Sequence, residues 1–303
     1  MSAVTAVLYH NIAEQETPFE AGLGVTTRPE IFEQHLEFYR RNYDVIDLET
    51  LLSGNLPRRP LLITFDDCYR SVVSAAKNLL APRDMPSVFF VNPTLVGGGI
   101  SLDNLIAWAS NTHGAAAVCE ILGLSAEQNP TGAAIIANLL SACTAKQRLE
   151  IRRKLAAAFP ISDSEMATRG PMLQAEDFPA LRRLRVEIGN HTASHVHCGA
   201  LDPDEYGDEL IAAQTDLQRL SGGPIRSFSV AYGDERDLPS SVLETLRDSG
   251  HKAIFLVHGR SNIDRKASDI WYRVSFRNES VARMPLRLSI FPLMRTVRDR
   301  LRA

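Results

Sequence analysis

Two stretches of the chain combine residue types that do chemistry together. LLITFDDCYRS (61–71) ends an apolar run in two adjacent carboxylates, Asp66 and Asp67. Neighbouring acids repel each other unless something positive lies beside them. Much later, EIGNHTASHVH (187–197) closes another apolar run with His191, His195 and His197. HTASH spaces two imidazoles four residues apart, which on a helical turn puts both on one face. Two imidazoles and a carboxylate from a distant strand leave coordination positions open, the pattern of a catalytic ion rather than a structural one. One aspartate would bind that ion. The other would stand beside its water as a base, with the cation relieving their repulsion. Taken singly, a DD pair is usually a solvated turn and an HxxxH two unrelated histidines. Their shared position at strand ends gives the combination its weight.

The elements that must position these groups are legible as a rhythm. Short apolar runs recur at VTAVLY (4–9), PLLITF (60–65), PSVFFV (86–91), RVEIG (185–189), IRSFSV (225–230), HKAIFLV (251–257) and WYRVSF (271–276). Amphipathic segments lie between them. TRPEIFEQHLEFYRR (27–41) has Thr27 and Glu30 at capping-box spacing. In LDPDEYGDELIAAQTDLQRL (201–220), Asp202 and Pro203 mark a helix start, and Leu210, Ala213, Leu217 and Leu220 share a face. LPSSVLETLRDSG (238–250) stops at Gly250. Nearly continuous apolar strands alternating with helices predict a parallel sheet buried on both faces. About seven units predict a distorted (β/α) barrel, with an open doubly wound sheet as the alternative. From about 98 to 184 no strand pattern appears. That stretch reads as a helical insertion after the third strand, forming a wall or lid, with a capping box at Thr144 and Gln147.

Reactive groups in such folds sit beyond the carboxyl ends of the strands. Those ends carry His10, the Asp66–Asp67 pair, His191 and His195, Tyr232 with Gly233, and His258. The 303 residues read as one catalytic domain with a basic tail at 283–303. A formal net charge of −3 argues against a nucleic-acid partner. The four cysteines, Cys68, Cys119, Cys143 and Cys198, form no CxxC pair, so neither a disulfide framework nor a cysteine zinc site is expected. The N-terminus has no secretory pattern and no run approaches a membrane span, so a cytoplasmic location is expected.

The motifs together resemble those of the polysaccharide deacetylase family, also called the NodB-homology or carbohydrate esterase family 4 domain. TFDD stands at 64–67, HTASH at 191–195, and FSVAYG (228–233) is similar to a third motif reading FAYPYG in one branch. YHNI at 9–12, the segment RPEIFEQHLEFYRRNYDVIDL (28–48) and GHKAIFLVHGRSN (250–262) followed by WYRV are similar to that branch as well. The resemblance covers most of the chain apart from the insertion and the tail. It implies a metal-dependent hydrolase acting on an N-acetylated glycan. Asp66 would be the base, Asp67, His191 and His195 the metal ligands, and the Tyr232 backbone N–H a donor to the oxyanion. Zinc is the expected ion, and cobalt, nickel or iron also suit such a donor set. The chain departs from the family at Cys68, where glycine often follows TFDD, and at Val230 and Ala231, where proline is common. The arginine another branch carries in its third motif is missing. The family's late histidine has no match. Arg273 occupies that region, expected to bind a carboxylate, stabilise charge or touch substrate, and His258 is the nearest candidate acid. His10 is expected to line the substrate pocket, with a strand-end role as the alternative, and His197 to face away from the ion.

Two further classes fit the residues. Two histidines and a carboxylate also make the facial triad of Fe(II) oxygenases, usually met on other scaffolds. The altered third motif and missing acid would suit a metal-free carbohydrate-binding relative. The tail, with apolar residues between arginines, is expected to pack as a last helix or to touch an anionic lipid surface.

Overall fold

The computed structural model describes residues 3–170, 172–233, 235–257, 260–262 and 268–300. Its main sheet is parallel throughout. In chain order its main strands are β1 (Thr5–Tyr9), β2 (Pro60–Phe65), β3 (Ser87–Val91), β4 (Val186–Asn190), β5 (Ser227–Ser229), β6 (Ala253–Leu256), β7 (Ile270–Tyr272) and β8 (Val274–Ser275), and a ninth, two-residue strand, Asp44–Val45, pairs with the start of β2. The spatial order is β7-β6-β5-β4-β3-β2-β1-β8. β7 and β8 are two halves of one extended run, broken at Arg273. The first half pairs Trp271 with Phe255 of β6, and the second pairs Val274 with Val7 of β1. That single run therefore joins both edges of the sheet and closes it into a distorted barrel of seven strand units. Closure leaves no long exposed edge.

Alternation along the strands sorts side chains into two layers. Ala6, Leu62, Val88, Phe90, Ala253, Phe255 and Trp271 form one buried cluster, joined by Leu48 and Leu51 from the helix Leu48–Ser53. Val7, Tyr9, Ile63, Phe65, Phe89 and Ile188 alternate with them and pack on the surrounding helices. The two-residue period continues inward along β2 and beyond it, through Leu62 and Thr64 to Asp66, and along the closing run from Trp271 to Arg273. A polar layer thus caps the apolar one. Gly189 is required within this interior. A Cβ there would stand 2.4 Å from the Phe90 ring and 2.7 Å from the Ser227 hydroxyl.

The capping signals are realised in part. The capping box at Thr144 and Gln147 opens the helix Ala145–Ala158, and Asp202 caps a turn beginning at Pro203. Gly250 takes φ +95 just after the helix Ser240–Asp248. Thr27, however, caps nothing. It belongs to a two-residue strand, Thr26–Thr27, and the helix Pro29–Asn42 starts from Arg28 with no side-chain cap. Pairing of that strand with Asn11–Ile12 holds the Thr27 backbone extended, and its hydroxyl is buried without a partner.

Six α-helices lie between β3 and β4 among the described residues, and the first five are Leu102–His113, Ala115–Leu122, Gly132–Leu139, Ala145–Ala158 and Asp163–Thr168. These five share an apolar core that includes Phe19, Leu105, Ile106, Trp108, Ile135 and Leu155. The following helix, Phe178–Arg183, packs Phe178 and Leu181 on the barrel instead. The inserted layer thus ends earlier than the strand pattern suggests. All four cysteines are buried and free.

Candidate active site

Asp66 ends β2 pointing into the barrel mouth, and its position is set from below. Arg273, fully buried, donates from Nη1 to Asp66 Oδ1 and from Nη2 to Oδ2, both at 2.7 Å. The same guanidinium reaches Thr64 Oγ1 at 3.2 Å and Ser229 Oγ at 2.6 Å, and Ser229 Oγ donates to Asp66 Oδ2 at 3.0 Å. It lies over the rings of Phe90 and Phe255. Burial alone would raise the Asp66 pKa, but the Arg273 charge outweighs it and holds the carboxyl well below the usual range. Arg273 therefore binds a carboxylate, one of the roles expected from sequence, and has no exposed surface to offer a substrate. It is 0% exposed beneath Asp66 and outside the cavity wall.

Asp67 turns the opposite way because its backbone is left-handed, with φ 70. This sends adjacent carboxylates to different places. Asp67 Oδ1 lies 3.7 Å from His191 Nε2 and 3.4 Å from His195 Nε2. An ion about 2.1 Å from each of two donors in a tetrahedral array separates them by about 3.4 Å. The three donors lie within 4.8 Å of one another, a grouping that could hold a divalent cation.

The two imidazoles converge by a route the sequence did not suggest. Residues 191–195 form no helical turn. They are a loop in which Thr192 and His195 take φ 63 and φ 59. The Asn92 amide donates to the carbonyls of His191 and Thr192, and Glu209 accepts from the Ser194 backbone N–H and hydroxyl. These bonds hold a conformation that L-residues seldom adopt. Asp67, Thr192, His195 and Tyr232 are four of six left-handed non-glycine residues among those described, and strain of this kind gathers at functional sites.

Each imidazole has its ring orientation and tautomer set by a partner at Nδ1. His191 Nδ1 donates to the Ser229 carbonyl at 2.8 Å, and His195 Nδ1 to Asp103 Oδ2 at 3.0 Å. Both Nε2 atoms are left facing Asp67, the arrangement found behind metal-ligating histidines. Burial lowers the His191 pKa to about 4, so its lone pair is free at neutral pH. His195 is raised instead, because Asp67 and Asp103 together outweigh burial.

Tyr232 has φ 62 and lines the cavity, and its hydroxyl donates to Asp103 Oδ1 at 2.6 Å. His197 turns from the ligand set to Asp237 at 3.0 Å, and its ring lies flat on Tyr232 at 3.6 Å. Next along, Gly233 allows a close approach: any Cβ would come within 2.5 Å of the Val257 nitrogen. His10 lies in the cavity wall with its pKa lowered by burial. His258, the candidate acid, lies outside the described residues. Sequence reasoning missed Asp103 and Arg148, both brought in by the insertion. Burial would raise the Asp103 pKa, but the hydrogen bond from His195 and the Arg148 charge hold it well below the usual carboxylate range. The cavity measures about 390 Å³ and has an apolar side built from Leu23, Val25, Ile136 and Val257.

The sequence profile described as polysaccharide deacetylase matches residues 152–254, a span that contains His191, His195 and Tyr232. The match covers about a third of the chain and is a similarity to the polysaccharide deacetylase family over that span. That family acts on N-acetyl amide bonds. Deacetylase folds cover nearly all of this chain. The Streptococcus pyogenes deacetylase PplD, solved in complex with acetate, matches 95% of this chain and 98% of its own at TM-score 0.63 and 12% identity. A polysaccharide deacetylase from Bacillus cereus matches 95% of this chain and 69% of its own at 0.61 and 12%. IcaB from Ammonifex degensii matches 97% of this chain and 98% of its own at 0.59 and 16%. Identities this low speak for the fold alone. None of the curated proteins matches the chain.

Proposed function

We propose that this protein acts as a polysaccharide deacetylase, removing N-acetyl groups from sugar residues of a glycan. Asp67, His191 and His195 would hold a divalent cation, with zinc the simplest choice for this donor set. The observation that carries the reading is the convergence of those three donors beside a second carboxylate that Arg273 keeps ionised and aimed. When bound there, a divalent cation would supply Lewis acidity, which would lower the pKa of water to about 7. Asp66 then accepts the proton as the water oxygen bonds to the carbonyl carbon. A carboxylate held this low is a weak base, so it suits water that is already acidified. The C–N bond breaks to give acetate and a free amine. The amine's proton would return from Asp66 or come from His258. The Tyr232 backbone N–H would donate to the oxyanion, and His10 would contact the sugar. Acetate release from a panel of N-acetylated oligosaccharides by zinc-loaded protein tests the reading. We expect at least one substrate to be turned over without oxygen uptake and the activity to vanish with chelator. No release from any member of the panel would sink it.

The tail supports a peripheral membrane contact. No helix among the described residues is long and apolar enough to cross a membrane. Leu288 packs inward, whereas Leu286, Ile290, Phe291, Leu293 and Met294 are between 44% and 62% exposed. Residues 280–303 carry six arginines and one acid in a chain of net charge −3. An apolar stripe among basic residues suits an anionic lipid interface. We expect sedimentation with phosphatidylglycerol vesicles and not with phosphatidylcholine vesicles, and a drop of about tenfold for Phe291→Ser/Met294→Ser. Equal sedimentation of variant and wild type would remove the idea.

A further inference from the structure

The inserted helices do more than wall the cavity. Ser101 caps the helix Leu102–His113, and in its first turn Asp103 and Asn104 both point back to the barrel. The Asn104 amide donates to the Tyr69 hydroxyl at 3.0 Å. Asp103 uses its two oxygens on two different site residues. Oδ2 accepts from His195 Nδ1 at 3.0 Å, and Oδ1 accepts from the Tyr232 hydroxyl at 2.6 Å. A second inserted helix, Ala145–Ala158, brings Arg148 to the same point. Its Nη2 reaches the Tyr232 hydroxyl at 3.1 Å and Asp103 Oδ2 at 3.4 Å. Arg148 is only 3% exposed, and Nε and Nη1 have no partner. Its helix is in turn anchored at the N-terminus by Glu205, which accepts from the backbone N–H groups of Ala145 and Lys146.

A buried arginine left partly unsatisfied is costly. Apolar packing would have served if the insertion only shaped a wall. The polar network has a direction: it runs from two inserted helices through Asp103 to the imidazole facing Asp67. We propose that Asp103 is a positioning residue, and that it couples ion occupancy at Asp67, His191 and His195 to the order of the inserted helices. This rests on the reading of those three residues as a divalent-cation site. An ion on Nε2 fixes His195, the fixed ring fixes Asp103, and Asp103 holds Arg148 and Tyr232. Because such coupling is reciprocal, whatever loosens the insertion must also weaken ion binding. The apolar cavity side at Ile136 belongs to the same inserted layer, so the wall facing substrate would be firm only in the loaded protein.

Two measurements on the full chain test the proposal without substrate. Zinc affinity, from competition with a chromophoric chelator, is expected to fall roughly 10- to 100-fold in Asp103→Asn. Amide hydrogen exchange of wild type, with zinc and with chelator, is expected to slow on zinc binding in Leu102–His113 and Ala145–Ala158, and Asp103→Asn is expected to lose that response. If wild type binds no zinc, the site reading falls and takes this proposal with it. Should wild type bind zinc but show unchanged exchange in both helices, the coupling is wrong while the site stands. The coupling is equally wrong if Asp103→Asn binds zinc as tightly as wild type. The wild-type exchange comparison remains decisive even if the variant does not fold.

Discussion

Asp66→Asn is expected to retain one zinc ion per chain and to lose roughly a thousandfold in kcat/KM, the size of a general-base contribution. Asparagine keeps the shape of aspartate and can still accept from Arg273, but it cannot take a proton from water. None of the three proposed ligands is altered, so metal content measured on the purified variant separates the chemical step from assembly of the site. A variant that kept a tenth of wild-type activity would remove Asp66 from the base role. The substitution also strips Arg273 of its counter-charge, so some loss of stability accompanies the loss of rate. Asp66→Asn/Arg273→Met removes both members of the buried pair and isolates the chemistry. We expect it to be more stable than Asp66→Asn and equally inactive.

Arg273→Met is expected to have the largest effect on folding. It leaves a carboxylate 3% exposed without its cation, a situation that costs about 3–5 kcal/mol. Its pH dependence is a sharper signature than its size. In wild type without metal, the folded Asp66 pKa is depressed. The pair's stabilisation is therefore present above about pH 3.9, the unfolded value, and is lost as pH falls through the folded one. Without Arg273, burial, the largest remaining influence, raises the folded pKa above the unfolded one. The variant then loses stability as pH rises above about 4, where the wild-type pair's contribution is already level. Chemical unfolding in chelator at several pH values between about 3 and 7 reads this directly. Parallel curves for the two proteins would show that Arg273 does not govern Asp66.

Much of this protein is legible because its chemistry follows its strands. Every apolar run singled out in the sequence contains a strand, since a parallel strand covered on both faces must be apolar almost throughout. Asp66, Asp67, His191 and His195 stand out because a barrel presents the residues just beyond strand ends at one mouth. The spacing of HTASH pairs two imidazoles that do converge on Asp67, but for an inexact reason. Four-residue spacing suits a helical face, but a loop held by Asn92 and Glu209 brings the rings together.

What the chain's order of residues determined by itself is the alternation of strand and helix and the reactive side chains at the strand ends, because both follow from short-range periodicity. Tertiary structure alone decided which groups govern those side chains. Arg273 meets Asp66 across 207 residues because the closing run places it beneath β2. Asp103, which in sequence is only an acid in a helix's first turn, meets His195 across 92 residues because the inserted helices fold over the barrel mouth. Contacts at such separations depend on how the sheet closes and where the insertion lands, and no local pattern of residues encodes either.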